Sequence, residues 1–358
     1  MKNSVSGVAA ASGAATFTGL VDLAAAAFGG RALGTNDDFF AGIQNLLDPG
    51  RGTFIPDKYT DRGKWMDGWE SRRKRGPGHD WCIVELGAAG TVHAVDIDTN
   101  HFLGNHPPFA SLDGLRVPRG TSLEAIERLE WTELLPQAAL RPGSQNLFVP
   151  EPHGAVSHVR LNIFPDGGVA RLRIFGKVAP DWSTHEPDEE TAPRVEPGAV
   201  DLAALRNGAL PLACSDAFFS PMHQLLLPGR AETMGGGWET RRKRAPGHDW
   251  IIVRLGARGR PQLIEVDTNH FKGNYPDRCS IETLDVPPNA RTTELIARSD
   301  WVSWLPEVKL SAHTRHFFDQ FRASGSISHL RLSIYPDGGV SRLRVWGQRD
   351  GVASAERA

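Results

Sequence analysis

Cysteine is scarce: Cys82, Cys214 and Cys279 are the only three in 358 residues. An odd number at such wide spacing makes neither a disulfide framework nor a cysteine metal site, and it points to a reducing compartment, the cytoplasm. Long apolar runs are missing too. None approaches the ~20 residues that a bilayer span needs, so no membrane partner is expected. Charge of one sign is also lacking, with 40 Lys and Arg against 42 Asp and Glu and a formal net charge of -2. That balance excludes the broad basic surface of a nucleic-acid binder. There is no Gly-x-Ser-x-Gly, no Walker motif and no Cys/His cluster. What is plentiful is Gly (38) and Pro (25), which favours many turns and short elements over long helices.

An internal repeat organises the chain. Residues 68–105 and 237–274 align without gaps at an offset of 169, with 25 of 38 positions identical. The likeness continues outward. Asp37-Asp38-Phe39-Phe40 matches Asp216-Ala217-Phe218-Phe219, and Pro49-Gly50-Arg51 matches Pro228-Gly229-Arg230. The first copy therefore carries about ten extra residues between Arg51 and Trp69. The expected division is a disordered leader 1–16, a first repeat 17–178, a linker 179–198, a second repeat 199–349 and a tail 350–358.

Strand signals dominate each copy. Residues 81–86 and 250–255 are apolar runs that end at Gly87 and Gly256. Residues 156–164 and 169–175, joined by Pro165-Asp166-Gly167-Gly168, read as a β-hairpin. Arg171 and Arg173 alternate with Leu172 and Ile174, giving one basic and one apolar face. Short helical patterns fall near residues 39–47 and 217–226. Many short strands at this domain length predict an all-β fold of the sandwich or jelly-roll kind.

The identities between copies concentrate in polar words. Ala94-Val95-Asp96-Ile97 drifts to Leu263-Ile264-Glu265-Val266, while the Asp98-Thr99-Asn100-His101-Phe102 beside it is unchanged. Packing alone would keep the apolar letters and let the polar ones go. Asp98 and His101 follow a buried-looking strand, where a base and an acid, or two metal ligands, are well placed. A plain Asx turn would use the same residues. His79-Asp80 is either an oriented imidazole or a turn before a strand. Glu70 precedes Arg72-Arg73-Lys74-Arg75. In extended chain only alternate members of that run share a face, and an Arg fork suits a carboxylate.

These words resemble the allantoicase family. The resemblance rests on Asn36 to Phe40, on Gly68-Trp69-Glu70-Ser71-Arg72-Arg73, and on Gly78-His79-Asp80-Trp81. It rests also on Asp98 to Phe102 with Gly104-Asn105, and on the Phe164 to Gly168 turn. It covers residues 17–349. It implies two tandem jelly-roll β-sandwich domains of the galactose-binding-like type. It further implies a cytoplasmic homo-oligomeric hydrolase that cleaves allantoate to ureidoglycolate and urea in purine breakdown.

That chemistry can be distributed over the repeated words. Allantoate carries one carboxylate and two ureido arms. Arg72 or Arg73 would hold the carboxylate and Asn100 a ureido group. Asp98 or Glu70 would be the base and His101 or His79 the acid. The second-copy counterparts are Arg241, Arg242, Asn269, Asp267, Glu239, His270 and His248. No cofactor is assigned, and the need for a divalent metal is left open. The competing reading is a non-catalytic tandem module that binds a small polar or sugar ligand. It predicts exposed aromatic platforms and few acid/base groups, against the Asp, Glu and His of the repeated words.

Overall fold

Gly- and Pro-punctuated apolar runs become antiparallel strands. The computed structural model describes residues 19–183 and 187–351, and the chain divides between Ala179 and Pro180 into two units. The expected leader 1–16 and nearly all of the tail 350–358 lie outside the described residues.

In the first unit one strand, Asp80–Asp98, serves two layers. Its residues 80–85 pair with Arg31–Thr35 on one side and Val156–Phe164 on the other. Phe109–Leu115 and Thr132–Ala139 continue that layer. Its residues 90–98 pair instead with Arg171–Val178 and Leu147–Phe148, and Val21–Asp22 closes the edge. The strand changes layer around Gly87. A Cβ there would stand 2.5 Å from the Phe28 carbonyl oxygen, so only glycine lets the chain pass. Between the layers lie Val84, Leu86, Val95, Ile97, Leu112, Leu161, Leu172 and Ile174, all buried. Each contributes about 1.5–3 kcal/mol of transfer free energy.

The second unit repeats the plan around Asp249–Asp267. Leu210–Cys214, Ile327–Tyr335, Arg278–Leu284 and Val302–Lys309 form one layer with its first part. Arg342–Arg349, Arg315–Phe318 and Val200–Asp201 join its second part. Residues 188–196 are hydrogen-bonded onto this unit, through Asp188, Glu190 and Thr191 to Arg315 and Glu196 to Gln262.

Two expectations need correction. Val156–Phe164 and Arg171–Val178 are not a hairpin, because they do not pair with each other. They flank different halves of the long strand, so the Pro-Asp-Gly-Gly turn crosses from one layer to the other. Its Gly168–Val169 pairs with Trp69–Glu70, and a Cβ at Gly168 would lie 2.0 Å from the Phe102 ring. The helical patterns are single 3-10 turns, Ile43–Leu47 and Met222–Leu226, too short to sustain an α-helix. The alternation of Arg171 and Arg173 with Leu172 and Ile174 gives the expected basic and apolar faces, and Arg171 is buried and ion-paired to Asp67 at 2.9 Å.

Candidate functional site

The long strand of the first unit ends at Asp98, which is 2% exposed. Arg51 grips it with a fork, Nε to Oδ2 at 2.8 Å and Nη2 to Oδ1 at 2.9 Å. The Asn100 N–H also donates to Oδ1, at 2.9 Å. Both carboxylate oxygens are thus engaged. Asn100 Nδ2 donates to the Gly52 carbonyl at 2.8 Å, and Thr99 Oγ1 donates to the Arg141 carbonyl at 2.6 Å. Asp98, Thr99 and Asn100 therefore stitch three loops together. The stitch turns His101 outward with φ at +68°, a conformation few non-glycine residues adopt.

His101 then lines a cavity of about 390 Å³ with Glu70, Asn105, Lys64, Phe54 and Phe40. The Glu70 strand is fixed by pairing with Gly168–Val169 and by a bridge to Ala41. Asn105 Nδ2 donates to Glu70 Oε1 at 2.7 Å. Burial pushes the Glu70 carboxyl above its ordinary value, and Asn105 pulls it only part of the way back. The His101 ring lies 5.6 Å from that of Phe54, and Lys64 Nζ lies 4.5 Å from the same ring. A raised carboxyl, an exposed imidazole and an ammonium on one concave surface can donate a proton, accept one and hold an anion.

The other candidates of the first repeat stand apart from this cavity. Arg72 pairs with Asp37 at 2.7 Å and lies over Phe39. Arg73 is exposed, and among the described residues it has no ion-pair partner. His79 packs its ring 4.6 Å from Phe164. Lys74 holds the buried Asp80 at 2.6 Å. The repeated run of basic residues is thus shared among Asp37, Asp80 and solvent.

The second repeat keeps the stitch and alters the cavity residues. Arg230 reaches Asp267 at 3.1 Å, and Asn269 Nδ2 donates to the Ala231 carbonyl at 3.0 Å. His270 also has positive φ, but its Nε2 donates to the Ala231 carbonyl at 2.9 Å. Its N–H donates to His313 Nδ1 at 2.8 Å. Glu239 is 9% exposed and accepts from Asn274. Arg241 pairs with Asp216 at 2.8 Å, Arg242 is exposed, and His248 packs on Tyr335.

The duplicated frame has a match among known sequences. The sequence model of the allantoicase repeat matches residues 21–179 and 200–350. The chain belongs to the allantoicase family. A probable allantoicase of Pseudomonas syringae pv. syringae (strain B728a) is 46% identical over 336 residues, covering 94% of this chain and 98% of the relative. Probable allantoicase 1 of Burkholderia mallei (strain ATCC 23344) is 45% identical over 331 residues, covering 92% and 95%. The crystal structure of allantoicase from Saccharomyces cerevisiae superposes with a TM-score of 0.75 at 34% identity, covering 92% of this chain and 93% of that one. The fold is accordingly all-β, two tandem jelly-roll β-sandwich repeats.

Lys64, Phe54 and Arg51 have no role in the sequence reading of this allantoicase-family chain. Lys64 and Phe54 fall in the stretch where the first repeat is longer, so comparing the copies cannot mark them. Arg51 recurs as Arg230, and that recurrence was the available signal. No three His, Cys, Asp or Glu side chains among the described residues are grouped so as to hold a metal ion.

Proposed function

We propose that the chain hydrolyses allantoate to ureidoglycolate and urea, as a step of purine (allantoin) degradation, at the first-repeat cavity. The observation that carries the location is Glu70, its carboxyl raised by burial, on one surface with His101 and Lys64. Lys64 would hold the substrate carboxylate, replacing the Arg72 or Arg73 of the sequence reading. His101 would take a proton from water as its oxygen bonds to the central carbon. Glu70 would give its proton to the departing ureido nitrogen as the C–N bond breaks, releasing urea. The imidazolium then returns its proton through solvent to the Glu70 carboxylate, and the site is restored. Asp98 and Asn100 act by holding the turn, and their second-repeat counterparts do the same.

Urea release by purified protein, with and without prior chelator treatment, tests the reading. It predicts turnover of allantoate in both samples. Absence of urea with allantoate would sink it. The three free cysteines support assignment to the cytoplasm, and the resemblance to the allantoicases supports a homo-oligomer. Sedimentation velocity checks the latter, and a monomer at micromolar concentration would contradict it.

A further inference from the structure

Both repeats carry a pair of adjacent phenylalanines in the same frame. Phe39 and Phe40 meet edge to face with ring centres 5.1 Å apart, and Phe218 and Phe219 do so at 4.9 Å. Arg72 lies over Phe39 and Arg241 over Phe218. Their cover differs. In the first repeat the hairpin of Tyr59–Thr60 and Gly63–Lys64 comes down on the pair. Arg62 donates to the Phe39 carbonyl at 3.0 Å and lies over its ring, and a Cβ at Gly63 would stand 3.9 Å from the Phe40 ring. Phe39 is left 38% exposed and Phe40 half-buried. Among its described residues the second repeat has no such hairpin, and Phe218 and Phe219 stand 61% and 62% exposed. Apolar side chains scattered singly are ordinary on a surface, but adjacent bare rings mark a contact.

That surface is also basic. Arg241 is tied to Asp216 at 2.8 Å and Lys243 to Asp249 at 2.9 Å, which pins alternate members of the basic run. Arg242 and Arg244 are left exposed, with no ion-pair partner among the described residues. They follow Arg241 by one and three residues, hence by no more than about 11 Å of chain. A docking patch of ordinary size is roughly 30 Å across and takes in the two rings and both guanidinium groups.

The first-repeat hairpin has the complementary surface. Its basic side chains fold back onto its own repeat, Lys58 over Trp65, Arg62 over Phe39 and Lys64 over Phe54. Tyr59 is left 66% exposed, and Asp57 and Asp61 are exposed with no ion-pair partner among the described residues. The hairpin thus offers an aromatic and acidic tip to an aromatic and basic patch. We propose that the hairpin of one copy of this chain packs on Phe218 and Phe219 of a second copy, with Tyr59 against the rings and Asp57 and Asp61 facing Arg242 and Arg244. The proposal rests on the homo-oligomer assignment and names its contact. Unlike patches meet in it, so a two-fold pair makes the contact twice, each copy giving one tip and one pair of rings. Arg73 and Arg75 occupy the matching places in the first repeat, but the hairpin already covers the rings there.

Sedimentation velocity of the full chain over a range of micromolar concentrations tests it. Phe218→Ser with Phe219→Ser should weaken self-association about tenfold or more, and so should Arg242→Asp with Arg244→Asp. Asp57→Asn with Asp61→Arg should do the same from the other side. The two charge-altered chains, each weak alone, should associate again when mixed, because every contact then pairs opposite charges. That recovery also shows that both are folded. Arg73→Asp with Arg75→Asp should leave association within about threefold of wild type, as exposed charges away from a contact do. Association that keeps its strength in the Phe218 and Arg242 variants would overturn the proposal and leave the homo-oligomer assignment standing. A mixture that recovers nothing, or an equal loss from the Arg73 variant, would overturn it in the same way. A wild-type chain that is monomeric throughout would overturn both.

Discussion

Glu70 and Asp98 show how two carboxylates in similar surroundings acquire different work. Asp98 is buried, but a guanidinium fork and a backbone N–H satisfy it. Glu70 is half-buried with one amide for company, and burial raises its carboxyl above the ordinary value. Removing that amide in Asn105→Ala leaves burial unopposed. The alkaline limb of the kcat profile should then move to higher pH, because the acid form persists further. A limb that moves down or stays would contradict the role of Glu70 as acid. Asp96 offers a separate stability check. Burial pushes its carboxyl up to about 6, with Asp98 nearby adding to the effect and Gln145 opposing it. The folded state therefore binds the extra proton between about pH 4 and 6, and stability falls as pH rises through that window. Asp96→Asn should raise stability by about 1–3 kcal/mol at pH 7.5 and by little at pH 4, read from urea unfolding. Equal effects at both values would show that charge burial is not the cause. Arg51→Ala should cost about 1–3 kcal/mol, discounted for the half-exposed guanidinium, since it strands the buried Asp98.

At the scale of elements, the first repeat is set apart by its longer loop. Tyr59–Thr60 pairs with Gly63–Lys64, Lys58 lies over Trp65, and Arg62 donates to the Phe39 carbonyl. This small hairpin delivers Lys64 to the cavity. Lys64→Ala should raise KM for allantoate about tenfold or more and change kcat less, since the ammonium binds the carboxylate in ground and transition states alike. An unchanged KM would remove Lys64 from the site. Legibility in sequence follows the same division. Trp69 and Trp238, equivalent in the two copies, are fully buried with Nε1 donating to the Asp37 and Asp216 carbonyls. The layer crossing at residues 165–168 was misread because two alternating runs joined by a Gly-rich turn look alike whether the strands pair or part. The long strand that separates them lies seventy residues earlier. The hairpin around Lys64 was invisible because it has no second copy.

Across the whole molecule, duplication preserved the scaffold words and let the two sites diverge. Repeated polar identity marks residues that the fold engages, most of them in hydrogen bonds and ion pairs that hold loops. Asp98, Asn100, Arg72 and their counterparts bind loops, and only Glu70 and His101 of the first-repeat candidates share a cavity. In the second repeat the shorter loop ties His270 to Ala231, and Gly236 stands where the first repeat has Asp67, the partner of Arg171. The central claim is that catalysis belongs to the first repeat. Urea release from allantoate by Glu70→Gln and by Glu239→Gln, each checked for native stability, tests it most directly. The account predicts a loss on the order of a hundredfold or more for Glu70→Gln and less than about tenfold for Glu239→Gln. Near-normal turnover by Glu70→Gln, or an equal loss in both, would contradict it.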